Sequence, residues 1–411
     1  MILILGGGIG GLTLALTLHR AGIACRVFEA TTEIRQVGVG VNVLPHASAE
    51  LAALGLRPEL ERVAVQTRDA WFFNRFGQLI HKEALGEAAG YPHPQFSIHR
   101  GDLQGVLLRA ALDRLAPGSV ITGKRLTHVT QTPEAATAHF EDGTTATGDA
   151  AIGCDGIHSV LRKQFFPDEG PPRYSGCNMW RGVTRHKPFL SGAPMVRAGW
   201  LAHGKMVIYP IRNDIDDQGR QLINWVAEID TPEHLERDWN RRGRLEDFLP
   251  AFADWKFDWL DVPALLRDAD VILEFPMVDQ DPLPRWSHGR ATLLGDAAHP
   301  MVPRGSNGAG QSILDAVALA KHLSGGGTIE AALADYEAER LPATAAVVLQ
   351  NRANPPDAIL REVWSRTGDK PFERIEDVIS RDELLAITGG YKKVAGYTLE
   401  DVARRAVDRV A

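Results

Sequence analysis

The chain opens Met1-Ile2-Leu3-Ile4-Leu5-Gly6-Gly7-Gly8-Ile9-Gly10-Gly11-Leu12, and this stretch limits the possible folds more than any other. An apolar run suited to a buried strand ends in Gly6, Gly8 and Gly11 at G-x-G-x-x-G spacing, and a helix begins at once. The first glycine lets the strand turn sharply. The second lets a pyrophosphate approach the backbone, and the third lets helix and strand pack with no Cβ between them. Free N–H groups at the helix start then favour an anion. Residues 12–21 read as a helix ended by Gly22, and residues 23–28 as a second strand. Glu29 closes that strand about 20 residues past the glycines, where an acid can hold a ribose hydroxyl pair. The plain alternative is an ordinary βαβ unit with a tight turn. A leader or membrane span is not expected, since no basic segment precedes the apolar run and the glycines cut it short.

Composition narrows the class. With 411 residues, 44% apolar and 24% charged, the chain has room for two or three globular domains. A net charge of −7 and the lack of a basic run argue against a nucleic-acid partner. Cys25, Cys154 and Cys177 lie far apart without C-x-x-C, which predicts a reducing compartment, no disulfides and no metal site. The expectation is a cytoplasmic enzyme with no membrane partner.

Further along, residues 34–43 alternate glycines with β-branched residues, as in an extended segment lying against something flat. Asn42 in that segment is a candidate pocket group; satisfying the backbone is its alternative role. Residues 71–80 read as a hairpin. Arg100 precedes an amphipathic helix over 103–115, as a surface charge or as a phosphate or ribose contact. Residues 152–162 read as a buried strand, an Asp155-Gly156 turn and a Ser-initiated helix carrying Arg162.

Residues 173–277 change texture to antiparallel strands joined by polar loops. Met206, Ile208, Tyr209, Asn224 and Trp225 are possible pocket liners there, though alternation lets only half of any strand face one way. Residues 238–259 read as a helix rich in core aromatics. Residues 290–300 then deliver Asp296 at a strand's C-terminal end, the usual ligand face of a parallel sheet. A Gly-rich loop through Pro303, Arg304 and Gly308-Ala309-Gly310 enters a helix over 311–323, whose start suits a developing negative charge. A helix over 329–351, bent at Pro342, and a mostly helical tail follow.

Gly6/Gly8/Gly11 with Glu29, Cys154-Asp155-Gly156, and Gly295-Asp296 through Gly310 together resemble the group A flavoprotein monooxygenases. These are single-component FAD-dependent aromatic hydroxylases of the para-hydroxybenzoate and salicylate hydroxylase type, and the likeness covers roughly residues 1–350. Met179-Trp180-Arg181-Gly182-Val183, residues 276–284 and Gly305-Ser306-Asn307-Gly308-Ala309 look closest to the phenazine-carboxylate branch. The implied fold is α/β: a Rossmann-like FAD-binding domain (1–172 and 278–350), an inserted antiparallel β-sheet substrate domain (173–277) and a C-terminal helical extension (351–411).

The resemblance implies that Gly6, Gly8, Gly10 and Gly11 hold the FAD pyrophosphate and Glu29 the adenosine ribose. Arg35 and Arg100 match phosphate or ribose contacts, Leu126 a backbone position beside the adenine, and Val41 a further cofactor contact. Asp155 and Gly156 belong to a motif linked to both FAD and the reduced pyridine nucleotide. Asp296 matches a ribityl or pyrophosphate contact, and Gly308, Ala309 and Gly310 lie near flavin N1 and O2. Pro303 matches a proline beside the flavin. Pro303, His299 and Asn42 are the catalytic candidates, with a structural role the alternative for His299. Tyr209, Trp225 and Arg304 are the substrate candidates; Arg304 could instead meet the phosphates of the nicotinamide cofactor.

The implied chemistry is hydroxylation of an aromatic ring by a C4a-hydroperoxyflavin formed from NAD(P)H and O2. With no second G-x-G-x-x-G, NADH and NADPH stay undecided, as do monomer and homodimer. Trp255-Lys256-Phe257-Asp258-Trp259 lacks the W-x-W-x-I-P spacing of flavin halogenases. Baeyer–Villiger insertion, epoxidation, N-hydroxylation and oxidative decarboxylation stay open on the same scaffold. A non-catalytic FAD-binding protein is the alternative of a different class, opposed by the intact nucleotide and flavin loops.

Overall fold

The strand Ile2–Leu5, buried along its whole length, is the centre of a five-stranded parallel sheet. Ala150–Gly153 and Cys25–Phe28 flank it, with Ile4 opposite Ile152 on one side and Val27 on the other. Ala291–Leu293 and Val120–Ile121 form the edges. A strand apolar on both faces needs cover on both faces; helices supply it on one side, and the three-stranded antiparallel sheet of Leu126–Gln131, Ala136–Phe140 and Thr145–Gly148 supplies it on the other. Helix Ile9–Arg20 packs against helices Arg100–Arg114 and Gly308–Ser324, and their apolar residues merge with the strands into one core. The C-terminal ends of the three middle and edge strands ending at Leu5, Gly153 and Leu293 therefore lie side by side. They deliver the glycine turn, Asp155 and Asp296 to one rim. The computed structural model describes residues 1–34, 38–231 and 242–408.

A seven-stranded sheet stands over that rim. Its order is Ile272–Asp279, Arg173–His186, Gln221–Asp230, Lys205–Arg212, Pro194–Gly199, Asp69–Phe73 and Leu79–Ala84. All pairs are antiparallel except Pro194–Gly199 with Asp69–Phe73. The last two strands come from residues 69–84, so the early hairpin completes a sheet built mainly from residues beyond 172. One face of this sheet buries Trp180, Ile208 and Trp225 against Phe248, Phe252 and Trp255.

Residues 242–259 do not form the expected helix. They make 3-10 turns at Leu245–Asp247 and Leu249–Phe252, then a tight hairpin between Lys256–Phe257 and Leu260–Asp261. Pro250 near the start of the second turn has no N–H to extend a ladder. The aromatics gather into one cluster under the sheet rather than along one helical stripe. Residues 238–241 of that expected helix lie outside the described residues.

Helix Ile329–Ala353 carries Pro342 within it. Beyond it come helices Ala358–Thr367, Arg381–Val394 and Leu399–Asp408. Ile359, Leu360, Val363 and Leu384 pack with Phe72, Met195 and Ile211 of the large sheet. Tyr391, Tyr397 and Val402 pack with Leu44, Tyr91 and Val347. The tail is thus part of the core. Among the described residues no helix is long and apolar enough to cross a membrane.

Candidate active site

A cavity of about 660 Å³ runs from the rim of the parallel sheet to the face of the seven-stranded sheet. At the rim, each glycine answers a different steric demand. A Cβ on Gly6 would lie 2.3 Å from the Cys154 carbonyl oxygen, and one on Gly11 2.0 Å from that of Gly6. A Cβ on Gly8 would meet nothing within 4 Å, because Gly8 borders the cavity itself. Gly8 also stands before helix Ile9–Arg20, whose start has no side-chain cap and no acid in its first turn. Its free N–H groups and positive dipole end are left for an anion. Glu29 is fixed at the same turn: Oε2 accepts from Gly7 N–H at 2.8 Å and Oε1 from Thr31 N–H at 2.9 Å.

Asp155 follows the neighbouring strand. Its Oδ2 accepts from Val160 N–H at 2.7 Å, whereas Oδ1 is buried with no partner. Burial raises its pKa above the usual carboxylate value, and hydrogen bonds from Ser159 and Val160 oppose the rise. A buried acceptor on a cavity wall calls for a donor, such as a sugar or ribityl hydroxyl. Arg162, one turn further on, donates to Ala297 and Ala298 carbonyls at 3.0 and 2.8 Å. It thereby ties the second motif to the third.

In the third motif Asp296 is exposed toward the cavity. His299 is placed elsewhere. Its Nε2 lies 2.6 Å from Asp315 Oδ2, which also accepts from Gly295 N–H, while Arg340 Nε donates to Asp315 Oδ1 at 2.8 Å. This buried triad holds the Gly295 turn from behind. Gly308 and Ala309 line the cavity at the start of helix Gly308–Ser324, which again has no side-chain cap. Gly310 packs behind them, where a Cβ would sit 2.9 Å from Asn307 Oδ1 and 3.5 Å from the His46 ring. His46 is fully buried and stacked on Tyr397, its pKa pushed down to about 3 by burial and by Arg405 and Arg340.

These features fit FAD. Two uncapped helix starts border one elongated cavity, with room at Gly8 for a pyrophosphate, a ribose acid at Glu29 and an unmet acceptor at Asp155. Gly10, Val41, Arg100, Leu126 and Gly156 border the same space. Arg35 lies outside the described residues.

The far end is built from the large sheet. Strand alternation turns Arg181, Tyr209 and Glu228 to the cavity and Trp180, Ile208 and Trp225 to the aromatic core. Trp225 is accordingly off the cavity wall, its indole N–H donating to Thr184 Oγ1 at 3.1 Å. Arg181 is half-buried at the cavity wall. One guanidinium N–H donates to the Gly40 carbonyl at 2.8 Å, Nε has no partner, and burial lowers its pKa. Arg197 Nε lies 2.8 Å from Asp357. Lys205 Nζ donates to both Glu228 oxygens at 3.0 Å and also pairs with Asp357. Arg304 Nε is 4.0 Å from Glu228, beyond hydrogen-bond range. Pro303 and Asn42 complete this end, with Asn42 Oδ1 accepting from Ser97 Oγ at 2.7 Å.

Arg197, Glu228 and Asp357 were not among the residues expected from sequence, and Arg181 entered only within a motif. A signal was present: largely apolar strands carry Arg181, Arg197 and Glu228 within them, and Lys205 opens another. Charges are seldom fully buried unless paired, so such positions mark a polar cavity or an ion-pair network.

Residues 1–191 and 270–351 match the FAD-binding-domain family, and the chain belongs to it. It is an FAD-dependent aromatic monooxygenase, with NAD(P)H as reductant and O2 as the oxygen source, as is the norm in this family. It is 42% identical over 403 residues to phenazine 1,6-dicarboxylic acid hydroxylase PhzS of Lysobacter antibioticus, with 96% of each chain covered. Among solved structures it is similar to HpxO of Klebsiella pneumoniae complexed with FAD and uric acid. That match has 26% identity, a TM-score of 0.73, and covers 99% of this chain and 96% of the other. A salicylate hydroxylase substrate complex is likewise similar, at 26% identity and a TM-score of 0.74, covering 98% and 97%.

Proposed function

We propose that this protein hydroxylates an aromatic or heteroaromatic ring bearing a carboxylate. The observation that carries the reading is the convergence of Arg181 and Arg197 of the large sheet with Arg304 of the glycine-rich loop where the cavity meets that sheet. Guanidinium forks match carboxylate geometry and hold a ring in one orientation. The relative named for a phenazine dicarboxylic acid supports the same choice.

FAD, when bound, supplies the acceptance of a hydride from the nicotinamide and the activation of oxygen. The chain's own residues position and insulate. The helix start at Gly308 and Ala309 stabilises negative charge at that end of the cavity. Pro303 and Met301 form an apolar wall that excludes water. Tyr209 stays a neutral phenol near neutral pH, since burial raises its pKa although Arg181 opposes this, so its O–H can donate to the ring substituent. Asn42 sits beside it as a second polar contact. His299 is assigned to holding Asp315 and the Gly295 turn, and Trp225 to the core beneath the sheet. The nucleotide-binding segments are 1–172 and 278–350, and substrate contacts come mainly from 173–277. The protein is read as cytoplasmic, acting as a monomer or homodimer.

The test is NADH and NADPH oxidation by purified holoprotein across aromatic carboxylates, with the product mass read out. A product heavier by one oxygen supports the reading. Oxidation stimulated only by uncharged rings, or no oxygenated product from any acid, overturns it.

A further inference from the structure

Four strands of the large sheet line up one row of side chains over the cavity. Arg181 is paired with Val226, Val226 with Val207, and Val207 with Arg197, in register across adjacent antiparallel strands. Directly paired residues share a face of the sheet, and all four border the cavity. Neighbouring strands lie about 4.8 Å apart, so the backbones of the two arginines stand about 14 Å from one another with only the valines between them. Along the strands, the neighbours on this face are Lys205 and Tyr209 beside Val207, and Asn224 and Glu228 beside Val226. The valine pair is therefore an apolar island with a polar neighbour on every side.

The polar frame is held by the protein itself. Lys205 Nζ donates to both Glu228 oxygens at 3.0 Å, Asn224 Oδ1 accepts from Gly40 N–H at 2.7 Å, and Arg197 pairs with Asp357. Valine is a good strand former anywhere, and on the opposite face Ile208 and Trp225 close a core. Val207 and Val226 differ in opening onto the cavity, and among the described residues they are the only aliphatic side chains this sheet gives it. Branching at Cβ makes them stiff, so the island is a firm floor. An apolar floor inside a hydrogen-bonding frame matches the face of an aromatic ring whose polar groups sit on its edge. A single benzene ring is about as wide as one strand interval, so it covers one valine, whereas two fused rings reach both.

Resting on the aromatic-carboxylate reading above, we propose that Val207 and Val226 are specificity-determining residues for the face of the ring. Each valine seats one ring, and the pair sets how many fused rings the site rewards. A ring whose carboxylate is held at either end of the row lies over the valine beside that arginine, and a second ring extends over the other.

The experiment titrates holoprotein with salicylate and with 3-hydroxy-2-naphthoate, which carries the same carboxylate and hydroxyl on two fused rings, and reads Kd from the change in flavin absorbance. The wild-type protein is expected to bind the naphthoate at least about tenfold more tightly. Val207→Thr and Val226→Thr keep the side-chain shape and the strand preference while making the seat polar. Each is expected to weaken naphthoate binding about fourfold, and only one of them to weaken salicylate. Val207→Ala and Val226→Ala carry the same expectation should a threonine variant fail to fold. Equal Kd values for the two acids in the wild type overturn the two-ring seat while leaving the carboxylate reading standing. A naphthoate Kd unmoved by either substitution removes that valine from the role, and salicylate weakened by both or by neither overturns one ring per valine. 2-Naphthol bound as tightly as the naphthoate sinks the carboxylate reading and leaves the seat. Binding of neither acid sinks both.

Discussion

Tyr391 presses on Gly305: a Cβ placed at Gly305 would lie 1.5 Å from the Tyr391 hydroxyl oxygen. That hydroxyl donates to Asn351 Oδ1 at 2.8 Å, and Asn351 Nδ2 donates to the Val302 carbonyl at 3.2 Å. The C-terminal region therefore grips the backbone on both sides of Pro303 and Arg304. Gly305→Ala is expected to push this loop out of place and lower kcat/KM at least about tenfold, as misplacement by about 1 Å commonly does. Steady-state kinetics at equal flavin content checks it. Unchanged kcat/KM would show that Tyr391 yields and the grip is loose.

Gly8 and Gly11 should separate cofactor binding from folding. Gly8 has extended backbone (φ −77°, ψ −171°) that alanine adopts, and its Cβ would enter open cavity. Gly8→Ala apoprotein is expected to melt like the wild type, while the flavin-to-protein ratio after reconstitution drops sharply. Gly11→Ala meets the Gly6 carbonyl and should lower apoprotein stability by about 1–3 kcal/mol. Thermal melts beside flavin absorbance distinguish the two. Equal flavin retention in Gly8→Ala would rule out a pyrophosphate there.

Trp225 and Tyr209 lie on adjacent strands but face opposite ways. Trp225→Ala should cost about 3–5 kcal/mol of stability, as expected for a large buried aromatic. Tyr209→Phe keeps the ring and removes one polar contact, so stability moves little while substrate KM rises severalfold. Denaturant melts paired with kinetics give the answer. A KM effect without a stability effect in a Trp225 variant would place its ring on the wrong side of the sheet.

His46 predicts a pH dependence of stability. Its folded pKa is depressed to about 3, below the unfolded value near 6.5, so protons bind preferentially to the unfolded chain. The stability this contributes is complete above pH 6.5 and is lost as pH falls toward 3. Within that window His46→Gln should flatten the slope of unfolding free energy by up to one proton, about 1.4 kcal/mol per pH unit. Urea melts from pH 7 to 4 measure the slope. An identical slope in the variant would mean that His46 is protonated in the folded protein.

What could be read from the chain itself follows a physical divide. Gly6 and Gly11 were legible because one backbone contact each leaves no space for a Cβ, a demand met within a few residues or by a strand predictably alongside. The rim carrying Asp155 and Asp296 was legible for a similar reason, since parallel strands deliver their C-terminal ends together. The substrate end was not. Arg181, Arg197, Glu228 and Asp357 converge from four separate segments, and nothing local to any of them names the others. Parity was the second obstacle: Asn224 and Trp225 are neighbours, yet Asn224 donates nothing to the core and instead accepts from Gly40 N–H at 2.7 Å. Over 242–259 the aromatics mimicked a helical stripe, while Pro250 and the demand of one shared core imposed turns.

The Ile2–Leu5 strand finds one neighbour close by in sequence at Cys25–Phe28, but its other neighbour comes at residues 150–153 and the next strand only at 291–293. Half of the sheet around it therefore depends on pairings of long sequence separation, which are slow to form. The Gly308 helix start and the Asp357 carboxylate come later still. The glycine turn that grips the nucleotide is thus formed largely within its own stretch of chain, whereas enclosing a ring also needs the helices beyond residue 351, which pack on the large sheet and on the Gly305 loop. Truncating them should yield a protein able to recruit flavin yet unable to choose what to oxidise.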